Sequence, residues 1–298
     1  MNYPIRAESL IKRFGKVAAI DGLDLQVPDG AIYALVGPNG AGKTTTVKVL
    51  MNIMRATRGR AEVLGAESAR LSAREFEQIG YVSENQEMPG WMTVKYFLDY
   101  LRPFYARWDD ERTQELVRQF DLPLNTRLSN LSRGMRVKAA LVSSLAYHPL
   151  LLVLDEPFSG LDALVRDELI GALLESADGA TVLISSHDLA EIESFASHVG
   201  YLEHGRLRFS EEMGSLTRRF RSIEITLDQP PSSPKGAPST WLGMETAAGF
   251  VRFIESAYHS EKTHADVRSL FGDVEVTVNP MSLREIFVAL AKSGRKAA

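Results

Sequence analysis

The apolar positions of this chain fall into short unbroken runs and longer helical patterns. Ile32-Tyr33-Ala34-Leu35-Val36 is continuous and runs into glycines, which predicts a buried strand entering a turn; residues 44–54 then read as a helix. Residues 150–154 and 181–185 have the same β-rich character, that of parallel strands covered on both faces, and helical spacing follows each. Strand, loop and helix recurring in this way predict an α/β core. Residues 93–146 carry helical spacing, as in Glu111, Leu116, Val117 and Phe120, and predict a helical insertion. Residues 199–202 and 207–209 flank His204-Gly205 and predict a hairpin.

The pattern then changes. Residues 229–238 (QPPSSPKGAP) are rich in proline and serine and predict a linker, since such a segment continues neither sheet nor helix. Beyond it, residues 250–254 and 274–278 alternate like strands, and Ser282-Leu283-Arg284-Glu285 reads as a capping box opening a last helix. Two domains are expected, residues 1–221 and 222–298, with the helical insertion at about 86–146. No internal repeat is visible.

Composition narrows the classes. With 298 residues and 45% hydrophobic content the chain can bury a substantial core. A net charge of −4 with both signs interspersed argues against a dedicated nucleic-acid binder, so no nucleic-acid partner is expected. With no cysteine, the chain has no disulfide framework, zinc–thiolate site or cysteine nucleophile, and a cytoplasmic setting is expected. The N-terminal stretch lacks the apolar segment of a secretory signal. The longest apolar region, residues 139–154, is interrupted by His148 and Pro149, whereas a spanning helix needs about 20 apolar residues. Any service to a membrane is therefore expected to pass through a partner.

Two motifs carry chemistry. Gly37-Pro38-Asn39-Gly40-Ala41-Gly42-Lys43-Thr44-Thr45 is a phosphate-loop pattern, and it lies between a predicted strand and a predicted helix as its mechanism requires. The glycines let backbone N–H groups and the helix N-terminus point at phosphate oxygens, Lys43 brings a positive charge to the β/γ-phosphates, and the Thr44 hydroxyl can ligand Mg²⁺. Asp155 and Glu156 end the apolar strand of LLLVLDEP, at the edge where open α/β sheets bind ligands. The aspartate suits the metal's water shell, and the glutamate suits a general base for an attacking water.

A phosphate loop does not separate kinases, GTPases, helicases and transporters. Leu131-Ser132-Arg133-Gly134-Met135 does, because it resembles the LSGGQ signature of ATP-binding-cassette (ABC) ATPases, with arginine and methionine replacing the usual glycine and glutamine. Other matches follow that family's order. Phe14 matches the aromatic that stacks on adenine, residues 80–84 (GYVSE) resemble the Q-loop segment, Ser159-Gly160-Leu161-Asp162 matches the D-loop, and His187 matches the switch histidine. The Q-loop position holds Glu84, with Gln86 two residues on, and the sequence leaves open which of them senses the nucleotide. The resemblance covers residues 1 to about 215. The tail, notably Pro280-Met281-Ser282-Leu283-Arg284-Glu285-Ile286-Phe287, more weakly resembles the C-terminal extension of bacterial drug- and antibiotic-exporter ATPase subunits of the ABC-2 type.

The resemblance implies a RecA-like P-loop NTPase core with an N-terminal antiparallel β portion, a helical subdomain and a small α+β C-terminal domain. It also implies ATP and Mg²⁺ as ligands, and a catalytic set of Glu156, His187 and Glu84. Ser132 and Gly134 would act at a second protomer's nucleotide, and Asp162 is also expected among the nucleotide-binding residues, so a second ATPase subunit, identical or not, and a separate integral-membrane permease are expected partners. The protein would sit in the cytoplasm against the inner face of the cell membrane. Three rivals fare worse. A soluble ABC ATPase with a non-transport role usually has two cassettes or coiled-coil arms, a pure ATP sensor needs neither Glu156 nor His187, and a GTPase would show an NKxD motif.

Overall fold

The computed structural model describes residues 2–84, 86–177, 179–227, 236–247 and 249–296. Strands β1 (Ile5–Phe14) and β2 (Val17–Val27) pair antiparallel with Ile5 opposite Val27. Next come β3 (Ile32–Val36) and α1 (Lys43–Leu50), then β4 (Arg58–Val63) and β5 (Ala66–Glu67), which complete a sheet of order β2-β1-β4-β5. A short α2 (Ala73–Phe76) leads into β6 (Ile79–Ser83). The insertion folds as α3 (Val94–Leu101), α4 (Asp110–Gln119) and α5 (Arg133–Leu145). The chain returns through β7 (Leu151–Asp155), α6 (Ala163–Ser176), β8 (Thr181–Ser186), α7 (Leu189–Glu193), β9 (His198–Glu203) and β10 (Arg206–Glu212). The second sheet has the order β10-β9-β3-β8-β7-β6, with β9, β3, β8, β7 and β6 parallel.

The unbroken apolar runs are buried as expected: every residue of β7 and β8 is buried, because both faces of a parallel sheet are covered. One core joins Ile5, Leu25 and Val63 of the first sheet to Val47 and Leu50 of α1 and to Leu35, Val153 and Leu183 of the second. The predicted hairpin is present, its His204-Gly205 turn having φ of 50° and 76°, the left-handed pair of a two-residue turn.

The helix expected over residues 44–54 is shorter, and it stops at Leu50. Asn52 adopts φ 54°, and Ile53 N–H and Met54 N–H both donate to Lys48 O at 2.9 and 3.0 Å. An asparagine entering the left-handed region closes the last turn on itself.

The chain divides into two compact units. One comprises residues 1–188 with 194–210, the other residues 189–193 with 211–298. The division falls before position 221, because α8 (Met213–Arg219) is bonded into the second unit. Arg219 donates to Ser256 O at 2.7 Å and pairs with Glu211, and Tyr258 N–H donates to Arg219 O at 2.8 Å. Of the predicted linker, residues 229–235 lie outside the described residues.

The second unit continues with β11 (Arg221–Thr226), β12 (Trp241–Ala247), β13 (Phe250–Glu255), α9 (Ser260–Phe271), β14 (Glu275–Pro280) and α10 (Leu283–Lys296). Its sheet has the order β12-β13-β11-β14, and Ile223, Ile225, Trp241, Val251 and Phe253 pack with Val267 of α9. The expected capping box is present: Ser282 N–H and Oγ both donate to Glu285 Oε2 at 2.8 Å. Among the described residues no helix is long and apolar enough to cross a membrane.

Candidate active site

The carboxyl ends of β3, β7 and β8 place the two sequence motifs side by side. Leaving β3, the chain turns through Gly40, φ 81°, and Gly42, φ 108°, into the N-terminus of α1. Gly42 has a second constraint, since a Cβ there would lie 2.3 Å from Ala19 O. Both positions thus need glycine for their φ, and Gly42 also for space. The first N–H groups of α1 have no acceptor inside the helix and carry its positive dipole end, which suits an anion.

A cavity of about 570 Å³ opens here. Asn39, Gly40, Ala41, Gly42, Lys43, Thr44, Thr45, Glu84, Glu156 and His187 line it, as do Ala19 and Ser159. The ammonium of buried Lys43 donates to Gly37 O at 2.7 Å, reaches Pro38 O at 3.4 Å, and lies 3.1 Å from Glu156 Oε1. His187 Nδ1 is 2.7 Å from Glu156 Oε2. Glu156 itself has φ 52°, a left-handed backbone that costs a non-glycine residue about 1–2 kcal/mol. Its N–H donates to Ser185 O at 3.2 Å and Ser185 Oγ at 3.0 Å, which holds the turn in place. Strain held in this way is characteristic of functional turns.

Asp155 lies behind this layer. Its Oδ1 accepts from Thr44 Oγ1 at 3.1 Å and from Ser185 Oγ at 2.6 Å. Burial pushes its carboxyl above the usual aspartate range; the Ser185 and Thr44 hydrogen bonds oppose that, Glu156 adds to it and Lys48 opposes it. Thr44, Asp155 and Glu84 thus offer hard oxygen donors around the N-terminus of α1, a donor set that fits Mg²⁺. Ser185 was not singled out in the sequence; its signal was its place in a Ser-Ser-His run at a strand end. Ala19 had no such signal, whereas Ser159 opens the Ser159-Gly160-Leu161-Asp162 segment matched to the D-loop.

The remaining sequence candidates lie elsewhere. Phe14 ends β1, is about half exposed, and has Lys12 Nζ 5.2 Å from its ring centroid; it is not in the cavity lining. Ser132 caps α5, accepting from Met135 N–H at 3.2 Å, and Asp162 caps α6, accepting from Val165 N–H at 3.0 Å. Gly134 packs so close to Val165 that a Cβ would lie 2.8 Å from Val165 Cγ1. Of the two Q-loop candidates, Glu84 lines the cavity, whereas Gln86 lines two neighbouring ones.

The phosphate loop, Glu156 and the histidine share one cavity with Asp155 bonded behind it, and known proteins share the pattern. The ABC transporter family profile matches residues 20–159. The bacitracin transport ATP-binding protein BcrA of Enterococcus faecalis is 30% identical over 227 residues, covering 74% of this chain and 73% of that protein. The chain belongs to the ABC transporter ATP-binding family.

The daunorubicin resistance ATP-binding protein DrrA2 of Streptomyces coeruleorubidus is 37% identical over 215 residues, which cover 68% of this ABC protein and 65% of the relative. The matched region thus spans under two thirds of that relative's length. The daunorubicin/doxorubicin resistance ATP-binding protein DrrA of Streptomyces peucetius is 28% identical over 311 residues, 96% of this chain and 92% of that one, so its match extends into the C-terminal unit. A solved ATP-binding subunit of an ABC transporter superposes with a TM-score of 0.65 at 27% identity, covering 72% of this chain and 92% of the other.

Proposed function

We propose that this protein binds and hydrolyses ATP with Mg²⁺ and so drives a separate membrane permease, in the direction of export. The observation that carries the reading is the convergence of Lys43, Thr44 with Asp155, and Glu156 with His187 on a single cavity at the N-terminus of α1.

The Lys43 ammonium moves from Glu156 Oε1 to the β/γ-phosphates, and the α1 N–H groups take the remaining oxygens. That move frees one oxygen of Glu156 to accept a proton from the attacking water, while His187 holds the other and meets the γ-phosphate. Thr44, Asp155 and Glu84 would hold Mg²⁺ or its water shell, and the ion would supply charge neutralisation at the phosphates. Phe14 stacks on adenine. Ser132, Gly134 and Asp162 sit outside this cavity and serve the nucleotide of a second subunit, head to tail. These assignments rest on geometry together with family resemblance.

Four exposed aromatics favour the helical insertion as the docking face for the permease. Trp91 and Tyr96 have ring centroids 5.7 Å apart, and Tyr100 and Phe104 have theirs 5.5 Å apart, all in the stretch of chain that follows Glu84. Exposed paired aromatics are suited to covering a partner's apolar segment. The protein then works at the inner face of the membrane through that partner. The long match to the DrrA protein supports export.

The test is Glu156→Gln. The variant should retain ATP and pair on it, while steady-state phosphate release falls on the order of 10²–10⁴-fold. Undiminished release would remove the assignment, and isolation from membranes with no integral protein attached would remove the transport role.

A further inference from the structure

The two most conspicuous departures from the family pattern touch each other. Arg133 stands where the signature usually has glycine, and Glu84 where the Q-loop usually has glutamine. Arg133 Nη2 donates to Glu84 Oε1 at 2.8 Å, across 49 residues of sequence. We infer that Arg133 is a positioning residue for Glu84: it cancels, within one chain, the negative charge that glutamate brings to the phosphate cavity.

Three observations support this inference, which rests on the function proposed above. First, Glu84 lines both the nucleotide cavity and a smaller one of about 240 Å³, whereas Arg133 lines the smaller and not the nucleotide cavity. The guanidinium therefore reaches the carboxylate from the side away from the phosphates and leaves the nucleotide side open. Second, Arg133 occupies the first position of α5. A cation there opposes the helix dipole, so its own helix gives it no electrostatic reward; the carboxylate opposite does. Third, its Nη1 lies 3.0 Å from where a Cβ would stand on Gly160, φ 67°, so the guanidinium also rests on the turn that follows β7. One side chain thus ties the start of α5 to the turns after β6 and β7.

A glutamine needs no such partner. A carboxylate at position 84 repels a polyanionic ligand until a metal or a cation offsets it. With Arg133 in place, ATP can enter before the metal does. Both side chains are partly exposed, at 43% and 34%, so the effect is modest and screened by salt.

A double-mutant cycle tests the inference by equilibrium binding of a fluorescent ATP analogue in EDTA at low salt, using the full chain. Arg133→Ala should weaken metal-free binding on the order of 2- to 5-fold, and Arg133→Lys should largely retain it. Glu84→Gln, with the repelling charge removed, should bind the metal-free analogue more tightly than the wild type. In the Glu84→Gln background, Arg133→Ala should cost little or nothing, and the coupling should shrink as salt rises. Thermal unfolding confirms that each variant is folded, and Arg133→Gln repeats the cycle should alanine not fold. Equal losses in both backgrounds, or no loss in either, would overturn the inference and leave the proposed function standing. A folded wild type that binds the analogue neither in EDTA nor with Mg²⁺ would overturn the proposed function as well.

Discussion

Each unit buries a glutamate, and the two are built differently. Glu255 on β13 is 3% exposed; its Oε2 accepts from Trp241 Nε1 at 2.8 Å and its Oε1 from Ala257 N–H at 2.9 Å. Both donors are neutral, one two residues along the chain and the other on the paired strand β12, and Trp241 is fixed by stacking on Phe253 at 3.9 Å. Glu156 is 9% exposed, and its oxygens meet the Lys43 ammonium and the His187 ring, which come from other elements. Burial of a carboxylate therefore does not mark chemistry by itself. What marks it is a set of partners that can trade the carboxylate for ligand atoms, at the wall of a cavity.

The largest expected effect separates the two glutamates directly. Glu156→Gln should lower phosphate release on the order of 10²–10⁴-fold, whereas Glu255→Gln should leave release unchanged. Its cost should appear instead in the unfolding midpoint, at about 1–3 kcal/mol, because one buried partner is no longer matched. Steady-state phosphate assays and denaturant melts on the same preparations would check both. A large rate loss in Glu255→Gln would break the comparison.

Next in size is Trp241→Ala. It removes the ring that covers Phe253 and the donor to Glu255 Oε2, and should destabilise the second unit by about 3–5 kcal/mol. ATP affinity should not change, since every residue lining the nucleotide cavity belongs to the other unit. Isothermal titration of the folded variant checks this, and a weakened affinity would show that the units are coupled.

The sequence made the site more legible than the frame around it. The run from Ile32 into Gly37 to Thr45 is contiguous, so strand, loop and helix start could be read together, and Asp155-Glu156 closes an unbroken apolar strand. β1 and β2 were not located residue by residue. Their ladder slips between Ala7 and Leu10, between Leu10 and Ile11, and between Lys12 and Arg13, and Ser9 takes φ 44°, so the alternation of a strand is lost. The contact between Arg133 and Glu84 was hidden for another reason. Each was legible as a departure from a motif, but only the fold brings α5 to the end of β6, and no local pattern encodes that meeting.

The smallest effect compares two copies of one local motif. Ser72 N–H and Oγ donate to Glu75 Oε2 at 2.9 and 2.6 Å ahead of α2, as Ser282 does to Glu285 ahead of α10. Hydrogen bonds hold both carboxyls below the usual glutamate range, from the Ser72 hydroxyl first at Glu75 and from the Ser282 N–H first at Glu285. A carboxyl depressed in the folded state stabilises above its unfolded value, about 4.3, and that contribution is lost as pH falls through the folded value. The helices differ in what the cap protects. α2 has four residues and none is buried, while α10 has fourteen and buries Leu283, Ile286 and Phe287. Ser282→Ala should therefore cost about 1 kcal/mol of second-unit stability, and Glu285→Gln less, since that carboxylate is exposed and screened. The same changes at Ser72 and Glu75 should stay local. Hydrogen-exchange mass spectrometry of residues 283–290 against residues 73–76 would resolve the two. At neutral pH Glu285→Gln should speed exchange across α10, and as the pH falls through the depressed folded value variant and wild type should converge after correction for the intrinsic rate. A difference that persists unchanged in acid would assign the stabilisation to packing of the cap rather than to its charge.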